Sequence, residues 1–124
     1  MANLLFVSVN QSFDPTFTLV QLAPWVERAW ALTPTSAGQC DRVIPVFKGA
    51  AVAAWRLRGA YYLDDYLTAD GRHRIALSLG DPLPVLPEYQ EIASTVSLRN
   101  GARVVQREDI APMPPERDED RLDT

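Results

Sequence analysis

The chain has one histidine, one cysteine and one lysine in 124 residues. A single cysteine, Cys40, excludes an internal disulfide. With His73 as the only histidine, no soft-ligand set for a structural zinc can be assembled. His73 stands in Asp70-Gly-Arg-His-Arg74 with no serine or cysteine nucleophile nearby, so it reads as a solvated surface side chain. Cys40 likewise lacks a local partner for nucleophilic chemistry. Asp64-Asp65 lacks the spacing of a calcium loop. Gly49, Gly59, Gly71, Gly80 and Gly101 are scattered at turns and strand bends and form no phosphate cradle. No apolar run approaches the ~20 residues that span a bilayer. The opening MANLLFVSVNQSF lacks the basic segment and long apolar core of a signal peptide. Together these absences predict no catalytic residue, no metal site, no cofactor, no membrane partner and a reducing, cytoplasmic setting.

Charge is also short of one sign's dominance. From Pro112 onward five acids face two arginines, leaving −3 of the total −4 in the tail. The body, with eleven acids and ten bases, carries only −1. A nearly neutral body argues against extended nonspecific duplex binding, which needs a strong basic face. It leaves room for recognition of a single base or nucleotide. Arginine outnumbers lysine eleven to one. Guanidinium groups favour planar, bidentate contacts, although a GC-rich genome produces the same bias.

The apolar fraction of 47% supports one domain with a real core, and the length is too small for two. Its strongest pattern runs from Asp41 to Leu63, DRVIPVFKGAAVAAWRLRGAYYL. Two apolar runs flank Lys48-Gly49, a hairpin turn signal. The second run alternates, predicting Trp55, Leu57, Gly59, Tyr61 and Leu63 on the buried face and Arg56, Arg58, Ala60 and Tyr62 outside. Pro45 cannot donate to a ladder, which predicts an edge or a bulge in the first strand.

Other segments complete an α+β reading. Leu4 to Val9 predicts a central strand. Thr18-Leu-Val-Gln21 has the form of a capping box, with Phe17 and Leu22 as a hydrophobic staple, and predicts a helix over about 19–32, kinked or restarted at Pro24. Thr33 to Gln39 reads as loop. Arg74 to Leu79 alternates as a strand, and Gly80 to Pro87 reads as an extended connection. Glu88 to Ala93 suggests a helical turn. Thr95 to Arg99 and Ala102 to Gln106 read as strands joined by Asn100-Gly101. The expected fold is α+β: a small curled antiparallel or mixed sheet, or an open barrel, of five or six strands with one main helix. The domain is expected over residues 1–111, with 112–124 a disordered, acidic, Pro-rich tail.

Trp25, Trp30 and Trp55 all read as core, the alternative being a wall on which bases stack. Outward Arg56, Arg58, Arg74, Ser78 and Arg99 could be gathered on one face of a sheet, either as ordinary solvated surface or as a binding face.

The strand LLFVSV, the helix ending Arg28-Ala-Trp30, the hairpin VIPVFKGAAVAAWRL and the turn Arg99-Asn-Gly-Ala-Arg103 together resemble the PUA-like superfamily of small barrels, which includes ASCH, EVE, YTH and SRA-type domains. The chain is similar to uncharacterised bacterial or phage members of that group. The ASCH signature G-x-K-x-x-E-x-R is absent, with Phe47-Lys48-Gly49 in its place, which argues against ribonuclease activity. The resemblance implies a concave pocket for a flipped or modified base, stacked on an aromatic ring. Its implied liners are Asn10, Ser12, Trp30, Lys48, Tyr61, Arg99 and Asn100, beside the outward Arg56 and Arg58. Two functions follow as alternatives. One is a noncatalytic binding module for nucleic acid or a nucleotide. The other is a small protein-interaction module, such as an accessory, phage-encoded or defence-related inhibitor with a protein partner.

Overall fold

Strand β1 (Ala2–Ser8) is apolar on both of its faces, so it needs cover on each side of a sheet. The computed structural model, which describes residues 2–30, 32–67, 73–98 and 101–113, provides that cover. Leu5 and Val7 face one core with Val9, and Ala2, Leu4 and Phe6 face a second core on the other side. β1 pairs in parallel with β3 (Arg42–Phe47) and antiparallel with β7 (Ala102–Arg107). The fold is α+β, built on one open mixed sheet in the order β2-β6-β5-β3-β1-β7. Here β2 is Arg28–Trp30, β5 is Trp55–Leu67 and β6 is His73–Pro82. A two-residue strand, β4 (Ala50–Ala51), pairs only with β3.

Helix α1 (Leu19–Glu27) begins at the expected capping box: the Gln21 amide donates to Thr18 Oγ1 at 3.3 Å, and the Thr18 amide donates to Gln21 Oε1 at 2.8 Å. Phe17, the expected staple residue, packs against the core that contains Leu22. The helix ends earlier than the periodicity suggests. Pro24 is accommodated inside it, but at Arg28 the backbone turns extended and pairs with β6. This shorter helix changes the fate of the tryptophans. Trp25 is half exposed, not core, because Leu22 and Val26 alone mark the buried stripe. Trp30 and Trp55 are buried as expected. The stretch Thr33 to Gln39 is not all loop: Thr33 caps a short helix, α2 (Pro34–Gly38), whose Ala37 joins the α1 core. Helix α3 (Pro87–Ala93) covers the opposite face with Tyr89, Ile92 and Ala93.

The Lys48-Gly49 turn is a two-residue loop in which both residues have positive φ, 49° and 80°, as a type I′ hairpin requires. Pro45 is internal rather than at an edge. It lies where the partner of β3 changes from β5, at Arg42 and Val43, to β4, at Val46 and Phe47, so its missing N–H breaks no ladder. The late hairpin differs from expectation. Residues 94–98 form no strand, and β7 takes β1 as its partner over six register pairs. The Asp70-Gly71 turn, Arg99, Asn100 and the tail from residue 114 lie outside the described residues.

Candidate functional site

The face of β5 and β6 opposite α1 and α2 is decided by an irregular register. Trp55 opposes Pro82, Leu57 opposes Leu79, and Gly59 opposes Ser78. One extra residue therefore enters β6 first, and one enters β5 directly afterwards. The second irregularity overturns the strict alternation expected for β5. Ala60 now stands opposite Leu77 on the α1 core, and Tyr61 stands opposite Ala76, 57% exposed. Tyr61 thus does not continue the Trp55–Leu57 face.

Beside this irregularity two arginine side chains lie over one glycine. A Cβ placed on Gly80 would lie 3.2 Å from both Arg56 Cβ and Arg58 Nε, so the two side chains converge over that glycine. On β6, Ile75, Leu77 and Leu79 turn to the α1 core, which sends Arg74 and Ser78 to the other face. Arg28 on β2 stands directly opposite Ala76, and Tyr61 flanks Ala76 from the other side. Arg28, Arg56, Arg58, Arg74, Ser78 and Tyr61 therefore share one sheet face. Each of the four arginines has an interaction within the protein, so an incoming anion would compete for it. Arg28 is not legible as part of this face from the sequence, because the helical periodicity runs through it, whereas in the structure it pairs with β6.

The other proposed pocket residues are placed elsewhere. Asn10 and Lys48 do meet: Asn10 Oδ1 accepts the Lys48 amide at 2.7 Å and thereby steadies the left-handed turn. Lys48 Nζ lies over the Phe47 ring, 5.1 Å from its centroid. The Ser12 amide donates to the Val9 carbonyl in the loop after β1. Trp30 is held in the α1 core by its indole N–H, which donates to the Val26 carbonyl at 2.8 Å. Trp30 and Tyr61 face opposite sides of the sheet, so they do not form two walls of one pocket.

A second polar cluster lies at the start of β3. Arg42 is 4% exposed, the one buried charged residue among those described. Its Nε and Nη2 donate to the two oxygens of Asp41 at 2.7 and 3.1 Å. Its Nη1 donates to Tyr89 Oη at 2.8 Å, and its Nη2 also reaches the Ala111 carbonyl at 2.7 Å. Asp41 Oδ2 additionally accepts the Met113 amide at 2.7 Å. The chain is thus held through Met113, two residues past the expected end of the domain. Every polar atom here is used structurally, tying β3, α3 and the C-terminal segment together.

Cys40 is buried in the α1 core, with its thiol 3.8 Å from the Ser36 carbonyl. Burial, reinforced by the neighbouring Asp41 charge, pushes its pKa up to about 12. A thiol so protonated is a poor nucleophile. In the folded protein Cys40 should react with a thiol-specific reagent at least tenfold more slowly than in urea, as a colorimetric thiol titration would measure. Among the described residues no group of three His, Cys, Asp or Glu could hold a metal ion, and no helix is long and apolar enough to cross a membrane. Comparison with protein-family models, curated proteins and solved structures found no significant match to this chain.

Proposed function

We propose that the protein is a noncatalytic binding module for single-stranded nucleic acid or a nucleotide, read by the arginine face of β5, β6 and β2. The observation that carries this reading is the convergence of Arg56 and Arg58 over Gly80, on the same face as the exposed ring of Tyr61. Guanidinium groups bind phosphate through paired N–H donors, and an exposed phenol ring stacks on a base without regard to its identity. Arg28 and Arg74 extend the positive charge to either side of Ala76. The near-neutral body limits the site to a few phosphates. The resemblance to PUA-like domains supports the same class of ligand.

Fluorescence anisotropy with labelled oligonucleotides tests this reading. A short single strand should bind better than duplex, with a salt dependence equivalent to about two to four phosphate contacts. Arg56→Ala together with Arg58→Ala should weaken both affinity and salt slope without unfolding the protein. Tyr61→Ala should cost roughly tenfold in affinity and leave the slope unchanged. Binding no tighter than about millimolar at low salt, for oligonucleotides and nucleotides alike, would overturn the proposal.

A further inference from the structure

Among the described residues, three marginal strands of the sheet, β2, β4 and β7, are finished differently. At one end, β2 is only three residues long and its pairing with β6 is irregular. Short, irregular edges resist pairing with another chain. At β4, the edge is capped by a side chain: Gln90 Oε1 accepts the Ala51 amide at 2.9 Å, and Gln90 Nε2 donates to the Ala51 carbonyl at 2.7 Å. The Gln90 amide thus occupies the place of a neighbouring peptide. At the far end, β7 has neither device. It is six residues long, contains no proline and keeps an unbroken register with β1.

The orientation of its free groups follows from one hydrogen bond. The Ser8 amide donates to the Gly101 carbonyl at 2.7 Å, and Ser8 stands opposite Gly101 if the β1–β7 register is continued by one residue. In an antiparallel ladder, positions bonded to the neighbouring strand alternate with positions that face away from it. Arg103, Val105 and Arg107 therefore direct their backbone groups to β1. Ala102, Val104 and Gln106 direct their N–H and C=O groups outward, and no described residue pairs with them.

We infer that the β7 edge is a self-pairing interface, on which a second copy of this chain adds its own β7 in antiparallel orientation. Outward-facing residues must meet outward-facing residues, which restricts the register. Centring the two-fold axis on Val104 sets Val104 against Val104 of the second copy, and Ala102 against Gln106. It yields about six backbone hydrogen bonds, two for each outward pair. Arg103 then faces Val105, and Arg107 continues opposite Gly101, so no two cations stand directly across from one another. Arg107 is in addition already neutralised by Asp109, with Nε donating to Oδ1 at 2.7 Å. The neighbouring register, centred on Val105, would oppose Arg103 to Arg107 and is disfavoured by like charge. The favoured register also extends both cores, since Val104 packs on the α1 side and Val105 on the α3 side.

Sedimentation equilibrium and residue-resolved hydrogen exchange test the inference independently of any ligand. Molar mass should rise toward twice that of the monomer between micromolar and millimolar protein. Over the same range the amides of Ala102, Val104 and Gln106 should gain at least tenfold protection, while those of Arg103 and Val105 stay protected throughout. Gln106→Pro removes an outward N–H at an exposed position and should leave a folded monomer. If that variant unfolds, the exchange pattern of the unaltered protein decides alone. A monomer at all concentrations, or a dimer whose Ala102, Val104 and Gln106 amides remain unprotected, would overturn the inference.

Discussion

Asp41→Ala is expected to destabilise the protein by about 3 kcal/mol, measured by urea unfolding at pH 7. The cause is the charge it strands. Arg42 is 4% exposed and donates two of its hydrogen bonds to the Asp41 carboxylate. Without Asp41 the guanidinium stays buried with Tyr89 and Ala111 as neutral acceptors, and the Met113 amide loses its only described partner. Replacing Arg42 by Met as well should restore part of the loss, because an apolar side chain leaves no buried charge behind. Equal destabilisation in the single and double variants would refute this account. The same carboxylate predicts a pH dependence. Burial alone would raise the Asp41 pKa, but hydrogen bonds from Arg42 and the Met113 amide outweigh it and hold the group below its ordinary value of 3.8. A depressed carboxylate contributes its full stability above that ordinary value. The contribution is lost as pH falls through the folded-state pKa. Stability of the native protein should therefore decline below about pH 4 more steeply than that of Asp41→Asn.

Trp55→Ala should cost about 3–5 kcal/mol, the largest single effect expected from a core truncation here. Trp55 is 4% exposed and packs in the core formed by β1, α1 and α2. It is also the first residue of β5, opposite Val43 on one side and Pro82 on the other. Its removal leaves a cavity at the point where three strands meet. Trp25→Ala provides the matched control. That ring is half exposed on α1, and its loss should cost under about 1 kcal/mol. Similar midpoints for the two variants in chemical denaturation would show that the burial of Trp55 contributes little.

Much of the local structure is legible in the residues themselves. The capping box at Thr18 and Gln21 and the Lys48-Gly49 hairpin form as read, because each rests on atoms within a few positions of one another. The alternation of Ile75, Leu77 and Leu79 in β6 is equally local and holds. The exceptions occur where a distant partner competes. Residues 28–30 have helical periodicity, yet β6 offers an unpaired edge and takes them as β2. Ala102 to Arg107 has an Asn-Gly turn signal before it in the sequence, yet it forms six pairs with β1. Tyr61 obeys period two as far as Leu57, and then a single extra residue reverses its face.

The sequence by itself determined the α+β class, the capped helix at Thr18, the hairpin turn at Lys48-Gly49 and, with one cysteine, the exclusion of an internal disulfide. Those properties depend on composition, short-range hydrogen bonding and side-chain periodicity. Only the tertiary structure decided which arginines share a face with Tyr61, that Arg42 is buried against Asp41 and Tyr89, and that β7 ends the sheet among the described residues. Those outcomes depend on strand order and on bulges, where backbone groups far apart in the chain satisfy one another. A one-residue slip costs little locally and moves every following side chain to the other side of the sheet.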